Sequence, residues 1–109
     1  MNKSASGLDE NVAGALAYAL GWLTGLFFLV TESSNRFVRF HAFQSVILFG
    51  GLSIAWLVSM SIPPIGWFLA FVVIPPVSAV LWLLLMFKAY QGERFKVPFA
   101  GEVAEQRTR

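Results

Sequence analysis

Between Ala42 and Phe87 the chain carries no charged residue, and this uninterrupted apolar run constrains the fold more than any other feature. A single helix over its roughly 46 residues would be about 69 Å long, more than twice the ~30 Å hydrocarbon layer of a bilayer, so the run must fold back. Near its middle stands Ser61-Ile62-Pro63-Pro64-Ile65-Gly66. Paired prolines remove two amide donors and disfavour helix before them, and Gly66 relaxes the backbone after them. The reading is therefore two spans, 42–61 and 67–87.

Composition agrees that lipid surrounds much of the chain. Apolar residues make up 57% of the 109 and charged residues 13%, about half the charge of an ordinary soluble domain. Mean hydropathy is +0.67. The net charge of +2 does not point to nucleic acid, because the basic residues flank apolar segments instead of clustering on a polar face. That placement fits anionic headgroups and the cytoplasmic bias of Lys and Arg. Absence of cysteine excludes disulfides, thiolate metal sites and a cysteine nucleophile.

A further apolar run, 12–30, is uncharged and at roughly 28 Å is long enough to cross as one helix. Asp9 and Glu10 precede it, and it is longer than the apolar part of a signal peptide, so it reads as a retained span. Residues 1–11 read as a polar lead in which Asp9 or Asn11 caps the following helix. Ala13, Ala17, Gly21 and Gly25 recur every fourth position and form one smooth ridge on such a helix. Small residues of this kind let a second helix approach closely in lipid. Gly51, Ala55 and Ser59, with Gly50 adjacent, make a second line, expected to pack on the first within one chain or between chains.

The hinge between the first two spans is Asn35-Arg36-Phe37-Val38-Arg39-Phe40-His41-Ala42-Phe43-Gln44-Ser45. Its aromatic and charged residues together predict a helix that begins in the membrane interface. Helical spacing groups His41, Gln44, Ser45 and Leu48 into a polar patch facing other helices. In the third span Pro75-Pro76 leaves carbonyls near Phe71 and Val72 without their usual partners and predicts a static kink. Beyond it, Lys88 complements the helix dipole and Gly92 is a helix stop. Phe95, Val97 and Phe99 alternate with charged or rigid residues, which predicts a segment lying against the membrane surface. The expected organisation is an all-α integral membrane domain of three transmembrane helices over 12–104 with a polar tail, 105–109.

Three spans put the amino terminus and the Pro63-Pro64 turn on one side, and the hinge and tail on the other. The first side then holds Lys3, the second Arg36, Arg39, Lys88, Arg94 and Lys96, with Arg107 and Arg109 farther on. By the positive-inside rule the amino terminus is expected outside and the carboxyl terminus in the cytoplasm of a multi-pass cell-membrane protein.

Three motifs carry a resemblance to a known family: Leu16-Ala17-Tyr18, the hinge from Phe37 to Ser45, and Lys88-Ala89-Tyr90-Gln91-Gly92-Glu93 with Val97-Pro98-Phe99-Ala100-Gly101. Over roughly 11–104 the sequence resembles a family of small, uncharacterised prokaryotic membrane proteins of the UPF or DUF type. That family is similar to the twenty-kilodalton Tic subunit of the chloroplast inner-envelope import translocon. The plastid subunit resembles a four-span arrangement, whereas three spans are counted here. The resemblance implies an integral membrane protein of unknown function and assigns no catalytic residue.

Little in the sequence supports chemistry. His41 and Ser45 stand one helical turn apart, but a working base and nucleophile need an orienting acid and oxyanion donors, and the spans hold no acid. One histidine without cysteine does not build a zinc sphere. No catalytic, cofactor or metal site is expected, nor a nucleic-acid or small-molecule partner. The expected function is that of a non-catalytic partner associating with itself or another membrane protein through the small-residue lines. Arg36, Arg39, His41, Gln44, Lys88, Arg94 and Lys96 are expected to touch lipid headgroups or a partner. The alternative is an oligomeric transport or protein-translocation component with His41, Gln44 and Ser45 at its cytoplasmic mouth.

Overall fold

A glycine divides the first apolar run in two. In the computed structural model, which describes residues 3–5 and 7–108, α1 spans Glu10–Ala19 and α2 spans Trp22–Thr31. Between them Gly21 adopts φ +63°, a conformation that strains any L side chain. The chain reverses there. Gly14 of α1 lies against Phe37 and His41, Gly21 against Phe49, and Gly25 of α2 against Ala42 and Ser45. Arg39 then reaches the carbonyls of Leu29 and Glu32 at the end of α2. α1 thus runs alongside the next helix in the same direction, and α2 returns along it.

A reversal inside an apolar layer exposes backbone carbonyls that no water satisfies, so side chains must supply the donors. Thr24 does so first: its hydroxyl accepts from Leu20 N–H and donates to Ala17 O, joining the two helix ends. The Trp82 indole donates to Tyr18 O and Ala19 O at 2.8 and 3.2 Å. Ser45 Oγ donates to Gly21 O at 2.8 Å.

α3 spans Arg36–Met60. It begins in the hinge, as expected, because the Asn35 side chain accepts from Val38 N–H at 3.1 Å and caps its first turn. By contrast Asp9, at the head of α1, makes no side-chain cap bond. It pairs with Lys3 at 2.7 Å, and that cation holds its carboxyl below the ordinary value.

α4, Ile65–Phe68, follows the proline turn and continues through one π-helical segment, Leu69–Val73, into α5, Ile74–Tyr90. The π segment is how the helix accommodates Pro75-Pro76. Ile74 N–H reaches back five residues to Leu69 O, which leaves Ala70 O with no helical donor, since Pro75 has none. The Trp56 indole of α3 fills that vacancy at 3.0 Å. At the other end Gly92, at φ +84°, closes α5: Gly92 N–H donates to Ala89 O and Glu93 N–H to Lys88 O, the paired bonds of a Schellman stop. A last helix, α6, spans Ala100–Arg107, so regular structure runs through the expected start of a polar tail at residue 105.

Lead, hinge and tail meet at one end of a molecule 48 Å long and 21 Å across. Ala5 N–H donates to Glu32 Oε1, and Asn35 Nδ2 donates to Glu10. Asn11 Nδ2 in turn donates to Tyr90 O. Two expectations are therefore corrected. Residues 12–30 do not form one straight span, and the amino-terminal lead does not lie opposite the tail; Gly21 sends the first segment back to where it entered. α3 and the Ile65–Tyr90 helix are long and apolar enough to cross a membrane, with mean hydropathy 1.7 and 2.5, and α2 is a shorter apolar helix.

The small-residue lines also divide differently. Ala13, Ala17 and Gly25 are buried, but they belong to two antiparallel helices. Gly51 and Ala55 are exposed, and a Cβ on Gly51 would meet nothing within 4 Å. Within the chain they do not pack on the first segment, because the hairpin turns back before reaching their level. Ser59 is buried elsewhere, with its carbonyl so close to Gly66 that any side chain there would overlap it.

Candidate functional site: a buried polar clamp at the charged end

Tyr18, His41 and Gln44 are each fully buried, and hydrogen bonding explains how three polar side chains are accommodated there. Gln44 Nε2 donates to Tyr18 Oη at 2.8 Å and to Phe95 O at 2.9 Å, while its Oε1 accepts from Val97 N–H at 2.8 Å. Because Tyr18 Oη accepts from Gln44, its own proton goes to His41 Nδ1, 2.6 Å away. His41 Nε2 then carries the ring proton and donates it to Glu93 O at 3.0 Å. The network fixes a neutral imidazole in one tautomer. Among the described residues no buried side-chain polar atom lacks a partner.

Three elements place these groups. α3 presents His41 and Gln44 on adjacent turns, and α1, brought alongside by the hairpin, supplies Tyr18. The returning chain after Gly92 supplies the carbonyls and the amide. Phe37, Phe40 and Tyr18 pack edge-on around the imidazole, with ring centroids 4.6, 5.1 and 5.4 Å away. They exclude water and strengthen each bond they surround. The tail is seated closely. A Cβ on Gly101 would come within 2.7 Å of Gln44 Oε1 and 2.6 Å of Lys96 Cα. Val97, Ala100 and Ala104 are buried, so this segment folds onto α3 as a packed element.

The polar patch expected at His41, Gln44 and Ser45 does face other parts of the protein. Its bonds run inward: His41, expected at a headgroup or a partner, is buried and bonds Tyr18 and Glu93. Tyr18 is the member that sequence reasoning missed. Its signal was a hydroxyl within an apolar run, a group that needs a partner at that depth.

Outside the clamp the basic residues separate into two kinds. Arg39 is engaged: its guanidinium satisfies two carbonyls at the end of α2, where a cation also complements the helix dipole. Lys88 and Lys96 pair with Glu93 and Glu105 at 3.5 and 3.1 Å. Arg36 and Arg94 are exposed and line a polar hollow with Glu10, Ser34, Asn35 and Phe37. Arg94 also lies 5.9 Å from the Phe40 ring centroid. Glu32 is buried at 1% exposure, its carboxylate accepting from Ala5 and Asn35 amides. Among the described residues no three of His, Cys, Asp and Glu are grouped to hold a metal ion.

Apolar helices with outward-facing hydrophobic side chains, gathered at one charged end, define a small all-helical membrane protein. The chain belongs to the magnetosome magnetite crystal formation protein family, whose model matches residues 7–104. It is similar to two UPF0132 membrane proteins of Methanocaldococcus jannaschii. One is 47% identical over 97% of this chain and 94% of the relative, the other 45% identical over 94% and 72%. A UPF0132 membrane protein of Archaeoglobus fulgidus is 44% identical over 91% of this chain and 95% of its own length. No solved structure matches.

Proposed function

We propose that this is a non-catalytic, multi-pass protein of the cell membrane that works by association, with α3 and the Ile65–Tyr90 helix spanning and the α1–α2 hairpin entering partway. The observation that carries this reading is the full internal use of the polar groups. Tyr18, His41, Gln44 and Ser45 are spent holding hairpin and tail in place, which leaves the outer surface for partners. Gly51 and Ala55, exposed on α3 in the half without the hairpin, form the face for a second copy or another membrane protein. Arg36, Arg94 and Lys88 meet anionic headgroups. From the relatives' names we take the membrane setting alone.

Orientation follows from charge. The lysines and arginines fall in the lead, hinge and tail segments, and the structure gathers those segments at one end, so the positive-inside rule puts both termini in the cytoplasm and the Pro63-Pro64 turn outside. The alternative, an oligomeric transport component with the Tic-like resemblance behind it, requires a path between copies. Crosslinking from Gly51→Cys in native membranes, followed by flux assays in vesicles, separates the two. A specific crosslinked partner without flux supports association. Flux that disappears when Gly51→Leu disrupts the contact supports transport.

A further inference from the structure

The hairpin makes the molecule unequal across its long axis. At the charged end α1, α2, α3 and α5 lie side by side, with α6 against α3. Among the described residues, the helices at the far end are α3 and the segment Ile65–Val73 alone. Burial records the same inequality: from Gly50 to Ala79 only Ser59, Gly66 and Ala70 are buried. Ile54, Leu57, Ile65, Phe68 and Phe71 stand 58 to 72% exposed. The hairpin tip ends at the level of Phe49 and Trp82. Below it opens an apolar groove lined by Leu20, Trp22, Leu52, Trp56, Ile74 and Pro75, among others.

We propose that the chain is a membrane wedge, which favours and promotes bilayer curvature convex on the leaflet that holds its charged end. This rests on the spanning arrangement proposed above. Four helices displace lipid in one leaflet and two in the other. With helix diameters of about 10 Å the excess is roughly 160 Å² per copy. The leaflet with the larger insertion expands relative to its partner, and the membrane relaxes by bending away from it. Association through Gly51 and Ala55 leaves the four-to-two ratio unchanged, because each copy brings its own hairpin.

The full chain with Gln106→Cys, otherwise free of cysteine, is reconstituted into small sonicated and large extruded vesicles of pure phosphatidylcholine. An impermeant maleimide, applied before and after detergent, gives the outward fraction of the charged end. A charge-driven orientation bias is the same in both sizes, so the difference between them reports curvature. The ratio of outward to inward copies is expected to be at least about twofold higher in the small vesicles. An equal ratio, or one favouring the inward charged end, overturns the wedge. Alkaline washing of the same vesicles tests the spanning arrangement itself: protein released by it contradicts that arrangement whatever the maleimide ratio, and protein retained with an equal ratio contradicts the wedge alone.

Discussion

Gln44 shows at the scale of one residue how a membrane protein uses an amide where water is absent. Both its N–H groups and its carbonyl are engaged, and two of the three partners are backbone groups of the tail. Gln44→Leu keeps the volume roughly and leaves Phe95 O and Val97 N–H unpaired, at about 1–3 kcal/mol for each buried group. The expected outcome is release of the segment 93–101, read as faster proteolysis there while α3 stays protected. Tyr18→Phe removes one hydroxyl from two bonds and is expected to be milder, a loss of about 1–2 kcal/mol in detergent unfolding. Gly101→Val tests the seat from the other side. Its side chain would meet Lys96 and Gln44, so the same proteolytic signature is expected without removal of any polar group.

Two elements depart from regular helix, and in both an indole repairs the backbone. Trp82 serves the break at Gly21, and Trp56 serves the π segment ahead of Pro75. The second repair is open to a double-mutant cycle. Trp56→Phe strips Ala70 O of its donor and is expected to destabilise by about 1–2 kcal/mol. In a Pro75→Ala background the new amide at 75 reaches Ala70 O in π register, so the same Trp56→Phe change becomes nearly neutral. Equal effects in both backgrounds would show that the indole acts by packing alone.

These elements also mark how much the sequence made legible. Absence of charge from Ala42 to Phe87, with a proline turn inside it, was enough to place α3 and its return helix, and Gly92 announced the end of α5. The hairpin was not visible, since an uncharged run of about 19 residues fits a straight span by length. What reverses it is a positive φ at Gly21, stabilised by Thr24, Ser45 and a tryptophan some sixty positions later, and such pairings have no local signature. Spacing identified His41, Gln44 and Ser45 as one patch. Their partners in α1 and the tail became apparent only once the chain was folded.

At the scale of the whole molecule the first segment decides topology. A straight first helix puts the lead and the Pro63-Pro64 turn on one side of the membrane; a hairpin puts the lead with the hinge and tail. Absence of native cysteine allows a direct measurement with single substitutions at exposed positions: Ala5→Cys in the lead, Ile62→Cys in the turn and Gln106→Cys in the tail. Impermeant maleimide applied to intact cells and to inverted membrane vesicles is predicted to label positions 5 and 106 only in the inverted vesicles, and position 62 only in the cells. Labelling of positions 5 and 62 from the same side would contradict the hairpin and everything derived from it.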